Sequence, residues 1–117
     1  MAYDEKLADR VREYLSGIPG IEIEEKKMFS GMAFMVNGKM CVNISGENLM
    51  CRFDPALQEE IAEKKGFIPM IMKGNELMGY CYVHPEGCRS GRDLKYWVDL
   101  CLAFNSRAKS SKKKKAL

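Results

Sequence analysis

The chain has one histidine, one tryptophan and four prolines among 117 residues. It has no run of roughly 18 apolar residues, which excludes a membrane-spanning helix. The single histidine, His84, is the only imidazole that a general base or a metal site could use. No glycine-rich strand-to-helix junction carries the lysine of a phosphate-binding loop. Gly38, Gly46, Gly74, Gly79 and Gly87 read as turn or strand glycines. The opening, Met1-Ala-Tyr-Asp-Glu-Lys, lacks the apolar core of an export signal, so a cytoplasmic location is expected.

A basic excess is also missing from the body. The formal net charge is +3, but six basic residues lie in 107–117, where there is no acid. Residues 1–106 therefore carry 13 basic and 16 acidic groups. A body of net −3 does not supply the positive face that phosphate binding needs. The organisation expected is one folded domain over 1–106 and a basic, disordered tail over 107–117, too polar to fold alone. Nucleic acid is then open only to the tail, through Lys112, Lys113, Lys114 and Lys115. A solvated tail that aids solubility is the favoured reading.

What is present is a globular pattern with a 46% hydrophobic share, enough for one core. Leu7, Ala8, Val11, Tyr14, Leu15 and Ile18 form one helical stripe. Asp4 can cap its start, and Gly17 with Pro19 ends it. Residues 21–26 become wholly charged, which suits an edge strand. Met32 to Val36 and Lys39 to Ser45 flank Asn37-Gly38, a strong hairpin signal. Leu49 to Phe53 is a further strand. Asp54-Pro55 opens a short helix to about Lys65 that Gly66 stops. Phe67 to Met72 contains Pro69 and reads as irregular or an edge strand. Leu77 to His84 is a strand, and Ser90 caps a last helix with Leu94, Trp97, Val98, Cys101 and Phe104 inward. The order α-β-β-β-β-α-(β)-β-α with short turns predicts an α+β fold. It has two layers, a mainly antiparallel sheet of five or six strands and three helices.

A two-residue turn at Asn37-Gly38 predicts that Val36 faces Lys39, Met35 faces Met40, Phe34 faces Cys41 and Ala33 faces Val42. Ala33, Met35, Met40, Val42 and Ile44 then share an apolar face, assigned to the helices. Met32, Phe34, Val36, Lys39, Cys41 and Asn43 share a mixed face, more apolar than a solvated face should be. Met32, Phe34 and Cys41 are therefore interaction candidates. So are Tyr80 and Tyr82, which share a strand face with His84.

The residues Lys27-Met-Phe-Ser-Gly-Met-Ala-Phe-Met-Val-Asn-Gly-Lys-Met40 resemble the signature of the TfoX N-terminal domain family. That family includes the N-terminal half of the TfoX/Sxy regulators of bacterial competence and many short stand-alone proteins. Met78-Gly-Tyr-Cys-Tyr-Val-His-Pro-Glu-Gly87, followed by Leu94, Trp97, Val98 and Ala103-Phe104, extends the resemblance. It runs from about Tyr3 to Phe104. Ser30 and Cys41 depart from it, standing where a glycine and an aromatic are expected. The resemblance implies a two-layer layout similar to secretion-chaperone-like domains, and it carries over no catalytic residue. Full-length competence regulators carry a second, helical domain. This chain ends before one could begin, so a stand-alone domain is expected.

Two constellations could carry chemistry. Cys81-x-x-His84-x-x-x-Cys88 has zinc-like spacing, but a closed site needs four ligands, and strand alternation sends Cys81 and His84 to opposite faces. The favoured reading has no metal, no cofactor and a buried Cys81. Cys88, beside Arg89 and Arg92 near a helix start, reads as the most exposed thiol, with a lowered pKa. The other cysteines, Cys41, Cys51, Cys81 and Cys101, sit in apolar patterns and read as buried and reduced. Nine methionines can fill a core or pave an adaptable surface. The expectation is a non-enzymatic regulatory or interaction domain, as a homodimer or with a protein partner. The alternative is a small-molecule or nucleic-acid-binding module using Tyr80, Tyr82 and the tail.

Overall fold

The computed structural model describes residues 3–28 and 31–107. Helix α1 spans Glu5–Ser16. Strands β1 (Ile23–Met28), β2 (Gly31–Val36), β3 (Lys39–Ser45) and β4 (Asn48–Arg52) follow. A 3₁₀ turn (Pro55–Leu57) and the short helix α2 (Gln58–Ile61) lead to β5 (Phe67–Met72) and β6 (Asn75–Val83). A second 3₁₀ turn (Pro85–Gly87) precedes α3 (Gly91–Asn105). The six strands form one antiparallel sheet in the order β1-β2-β3-β4-β6-β5, so the predicted α+β fold is the one observed.

The ends of the elements follow local chemistry. The Asp4 carboxylate accepts from the amides of Lys6 and Leu7 at 3.0 and 3.1 Å, which caps α1. Ser90 Oγ accepts from the Asp93 amide and caps α3. Asn37 and Gly38 take φ of +53° and +82°, the left-handed pair that a tight hairpin between β2 and β3 requires. The helix predicted to reach Lys65 is shorter, because Pro55 opens it as a 3₁₀ turn and α2 ends at Ile61. Strand β5 tolerates Pro69 because it lies at the sheet's edge.

One core holds these pieces together. Leu7, Val11 and Leu15 of α1 and Leu94, Trp97, Val98 and Cys101 of α3 are buried with Phe34, Val42, Ile44, Leu49, Cys51, Cys81 and Val83 of the sheet. Trp97 is fixed in orientation because its indole N–H donates to the Gly87 carbonyl at 3.0 Å. That carbonyl belongs to a close backbone crossing. A Cβ on Gly87 would collide with the Lys65 oxygen and lie 2.9 Å from the Gly66 Cα. The crossing locks the turn after α2 to the turn before α3. All three helices contribute to this one core, so among the described residues the other sheet face has no helix upon it.

Candidate functional site

The face that no helix among the described residues covers is positioned by one irregularity. Met35 faces Met40 as the hairpin turn dictates, but Phe34 faces Val42, Ala33 faces Asn43 and Met32 faces Ile44. Cys41 is the extra residue of a β-bulge, and beyond it the pairing shifts by one. A shift of one sends each side chain to a new neighbour.

The predicted faces are corrected accordingly. Met32, Phe34, Val36 and Cys41 are buried in the helix-side core, so Met32, Phe34 and Cys41 are not surface contacts. Val42 and Ile44 are in that core as expected. Ala33, Met35 and Met40 instead lie on the opposite face, with Asn43, Met50 and Tyr82 in line across the strands. Ala33, Met35 and Met70 are buried yet stand apart from the main core cluster.

This open face is apolar with one polar centre. Met40, Met50, Ile68 and Tyr82 are half-buried on it. Asn43 is 8% exposed, and among the described residues its amide N–H groups reach only the thioether sulfurs of Met40 and Met50, at 3.2 and 3.8 Å. The Asn43 Oδ1 is buried without a partner among the described residues. Thioether sulfur is a weak acceptor, so this amide is poorly satisfied for a buried group. Two flexible methionine side chains lie over it and can shift to admit a donor.

Tyr80 and Tyr82 share this face, but β6 ends at Val83 and His84 caps the next turn, so it is not part of the strand face expected for it. The Arg52 guanidinium lies over the Tyr80 ring, 5.9 Å from its centroid. Arg52, Phe53, Met78, Tyr80, Phe104 and Arg107 line a cavity of about 260 Å³ at the face's rim. Its shape depends on Gly79, whose φ of +85° breaks the regular strand. Its amide donates to the buried Gln58 Oε1 at 2.9 Å. Arg107 also pairs with Asp54 at 2.9 Å, so this first residue of the expected tail is tied to the domain. Lys112, Lys113, Lys114 and Lys115 lie outside the described residues. A second cavity of about 350 Å³, lined by Lys64, Lys65, Arg92, Asp93 and Tyr96, gives the body a local basic patch.

The sulfur chemistry is inward. Cys81 is fully buried, His84 is exposed, and the His84 Nδ1 accepts from the Glu86 amide at 3.1 Å. The three residues do not converge. Among the described residues no group of three or more His, Cys, Asp or Glu is placed to hold a metal. Cys88 corrects the expectation of an exposed, acidified thiol. It is 1% exposed, and burial pushes its pKa up, against a smaller lowering by Arg10. Cys41 and Cys51 are likewise pushed up, chiefly by burial, and Cys51 lies opposite Cys81 across β4 and β6. All five cysteines are free.

The sequence puts Asn43 on the mixed face without singling it out, and it sends Met35 and Met40 to the helix side, because the bulge leaves no composition signal. The hint available was that both faces of the hairpin read as largely apolar. No helix of the described residues is long and apolar enough to cross a membrane. No curated protein and no solved structure matches the chain. The sequence profile of the TfoX N-terminal domain matches residues 13–105, which takes in every strand and α3. The chain belongs to the TfoX N-terminal domain family.

Proposed function

We propose that this chain is a non-enzymatic protein-interaction domain with a regulatory role of the TfoX type, acting in the cytoplasm as a homodimer. Its contact surface for a protein partner, apart from its own second copy, is the open sheet face. The observation that carries this reading is Asn43, a buried amide beside Met40 and Met50 whose oxygen has no partner among the described residues, on a face no described helix covers. A polar group at the centre of an adaptable apolar surface is what a docking partner's donor would satisfy. Five buried thiols and a histidine engaged in capping a turn support the non-enzymatic part. The test is a photo-crosslinking residue placed at Tyr82, with Ala103 on the outer side of α3 as control. A discrete protein adduct from position 82 and none from 103 is expected. Equal adducts from both positions, or none from 82, contradict the reading.

A second reading has its own observation. Arg52 stacked on Tyr80, with Arg107 and Phe104 across the 260 Å³ cavity, fits an anionic aromatic small molecule. Binding that survives deletion of 108–117 and fails in Arg52→Ala supports it, and the absence of binding by the intact chain ends it.

A further inference from the structure

Strand β1 is an edge of the sheet, and its outer side carries an ordered set of unused groups. The Asn37 amide donates to the Glu22 carbonyl at 2.8 Å, and the Glu22 amide donates to the Asn37 side chain. The backbone of Glu22 therefore points inward to β2, as do the alternate residues Glu24 and Lys26, which face Met35 and Ala33. The N–H and C=O groups of Ile23, Glu25 and Lys27 point outward, where no strand of the described residues pairs with them. Such an edge is a template for another strand unless its side chains oppose one.

The side chains of this edge do not oppose a second copy of the same chain. Charged side chains protect an edge when an incoming strand would leave them unpaired or facing like charges. Here the order is Glu24-Glu25-Lys26-Lys27, whose sign inverts when it is read backwards. A two-fold axis normal to the sheet runs the second β1 antiparallel and keeps the helices of both copies on one side. That symmetry requires directly opposite residues to lie on the same face.

We propose that two copies of this chain pair through β1, with Glu25 opposite Glu25 of the second copy. The outward backbone groups of Ile23, Glu25 and Lys27 then donate to and accept from their counterparts. Glu24 falls opposite Lys26 of the second copy, and Lys26 opposite its Glu24. These two pairs occupy the closely spaced, non-hydrogen-bonded positions of the ladder. In the single chain Glu24, Lys26 and Lys27 are exposed and have no ion pair among the described residues. Each of the two facing Glu25 carboxylates is screened by an Arg12 that it shares with Asp9. Arg12 of α1 grips Glu25 through Nε and Nη2 at 2.5 and 2.8 Å, and this bond lowers the Glu25 pKa. Lys27 of the second copy stands diagonally beside Glu25. The pairing makes one twelve-stranded sheet, and the methionine faces of the two copies lie on the same side of it. The inference names the interface of the homodimer proposed above, and it rests on that self-association.

The test uses Glu24→Lys and Lys26→Glu in the full chain, with sedimentation velocity as the readout. Both positions are exposed, so an unchanged far-UV circular dichroism spectrum serves as the check of fold, since weaker association alone would lower the thermal midpoint. The wild type is expected to be a dimer, and each variant alone to associate at least about tenfold more weakly, because like charges meet. An equimolar mixture of the two variants is expected to regain wild-type association, since the lysine introduced in one then faces the glutamate introduced in the other. If both variants dimerise alone as the wild type does, the β1 pairing is overturned while self-association stands. If Glu24→Lys dimerises normally and only Lys26→Glu fails, the register is overturned. A wild type that stays monomeric up to millimolar concentration overturns the pairing and the homodimer together, and leaves the open-face reading intact.

Discussion

Phe34 of β2 lies opposite Val42 of β3, and Cys41 between the two registers of the hairpin has no partner across the strands. The consequence is a division of labour between faces. Phe34 and Val42 enter the helix-side core, while Met35, Met40 and Asn43 remain on a face without a helix among the described residues. A bulge bends its strand as well as shifting its register, so it also shapes the open surface.

Asn43 is placed against stability in the isolated chain. Its oxygen is buried and unpartnered among the described residues. Asn43→Leu has nearly the same shape and removes that oxygen. It is expected to raise the free energy of unfolding by about 1 kcal/mol. On the proposed function it should also reduce crosslinking from position 82. Urea unfolding and the crosslink yield read the two effects separately. A stabilised variant with undiminished adduct would dissociate Asn43 from docking.

The thiols predict an alkaline limit to stability. Burial holds Cys41 and Cys51 above their ordinary value of 9.0 in the folded chain. Unfolding releases them to ionise, so above pH 9 the unfolded state binds fewer protons than the folded one. Their contribution is complete below that pH and is lost as pH rises toward the folded values. The slope approaches about 1.4 kcal/mol per pH unit for each thiol. Urea midpoints at pH 7, 9 and 10 should fall in that order. In native protein at pH 8, a thiol reagent should modify all five cysteines slowly, including Cys88, at rates that rise with urea.

The Gly66–Gly87 crossing predicts a sharp contrast between two glycines. Gly87→Ala drives a methyl group into the Lys65 oxygen and is expected to cost about 1–3 kcal/mol. Gly91→Ala, at the start of α3, meets nothing within 4 Å and should be neutral or stabilising by up to about 1 kcal/mol. Thermal unfolding of the two variants checks this. Equal midpoints would mean that the crossing is looser than described.

Much of the architecture is legible because it is dictated locally. Asp4 and Ser90 cap helices, Asn37-Gly38 can only turn, and Pro69 marks β5 as an edge. The face assignment is not legible, because one extra residue at Cys41 inverts parity and no residue type there demands a bulge. Alternation alone puts Tyr80 and Tyr82 on one face, while that inversion moves Met32, Phe34 and Cys41 from the expected surface into the core. Cys88 was misread because its basic neighbours imply exposure. The 3₁₀ turn at Pro85–Gly87 instead folds it inward, with its thiol 3.9 Å from the His84 carbonyl. Long-range packing decided these cases, and the local pattern carries no record of it.

The central claim is that the methionine face is open in the isolated chain and covered when the protein is at work. Hydroxyl-radical footprinting of methionine oxidation measures this directly, in dilute purified protein and in intact cells. Met32, buried in the core, and Met72, 54% exposed at the β5–β6 hairpin, are internal references. The account predicts that Met40 and Met50 are oxidised in the purified protein and protected in cells, relative to Met72. Equal oxidation of Met40 and Met50 in both settings would contradict it.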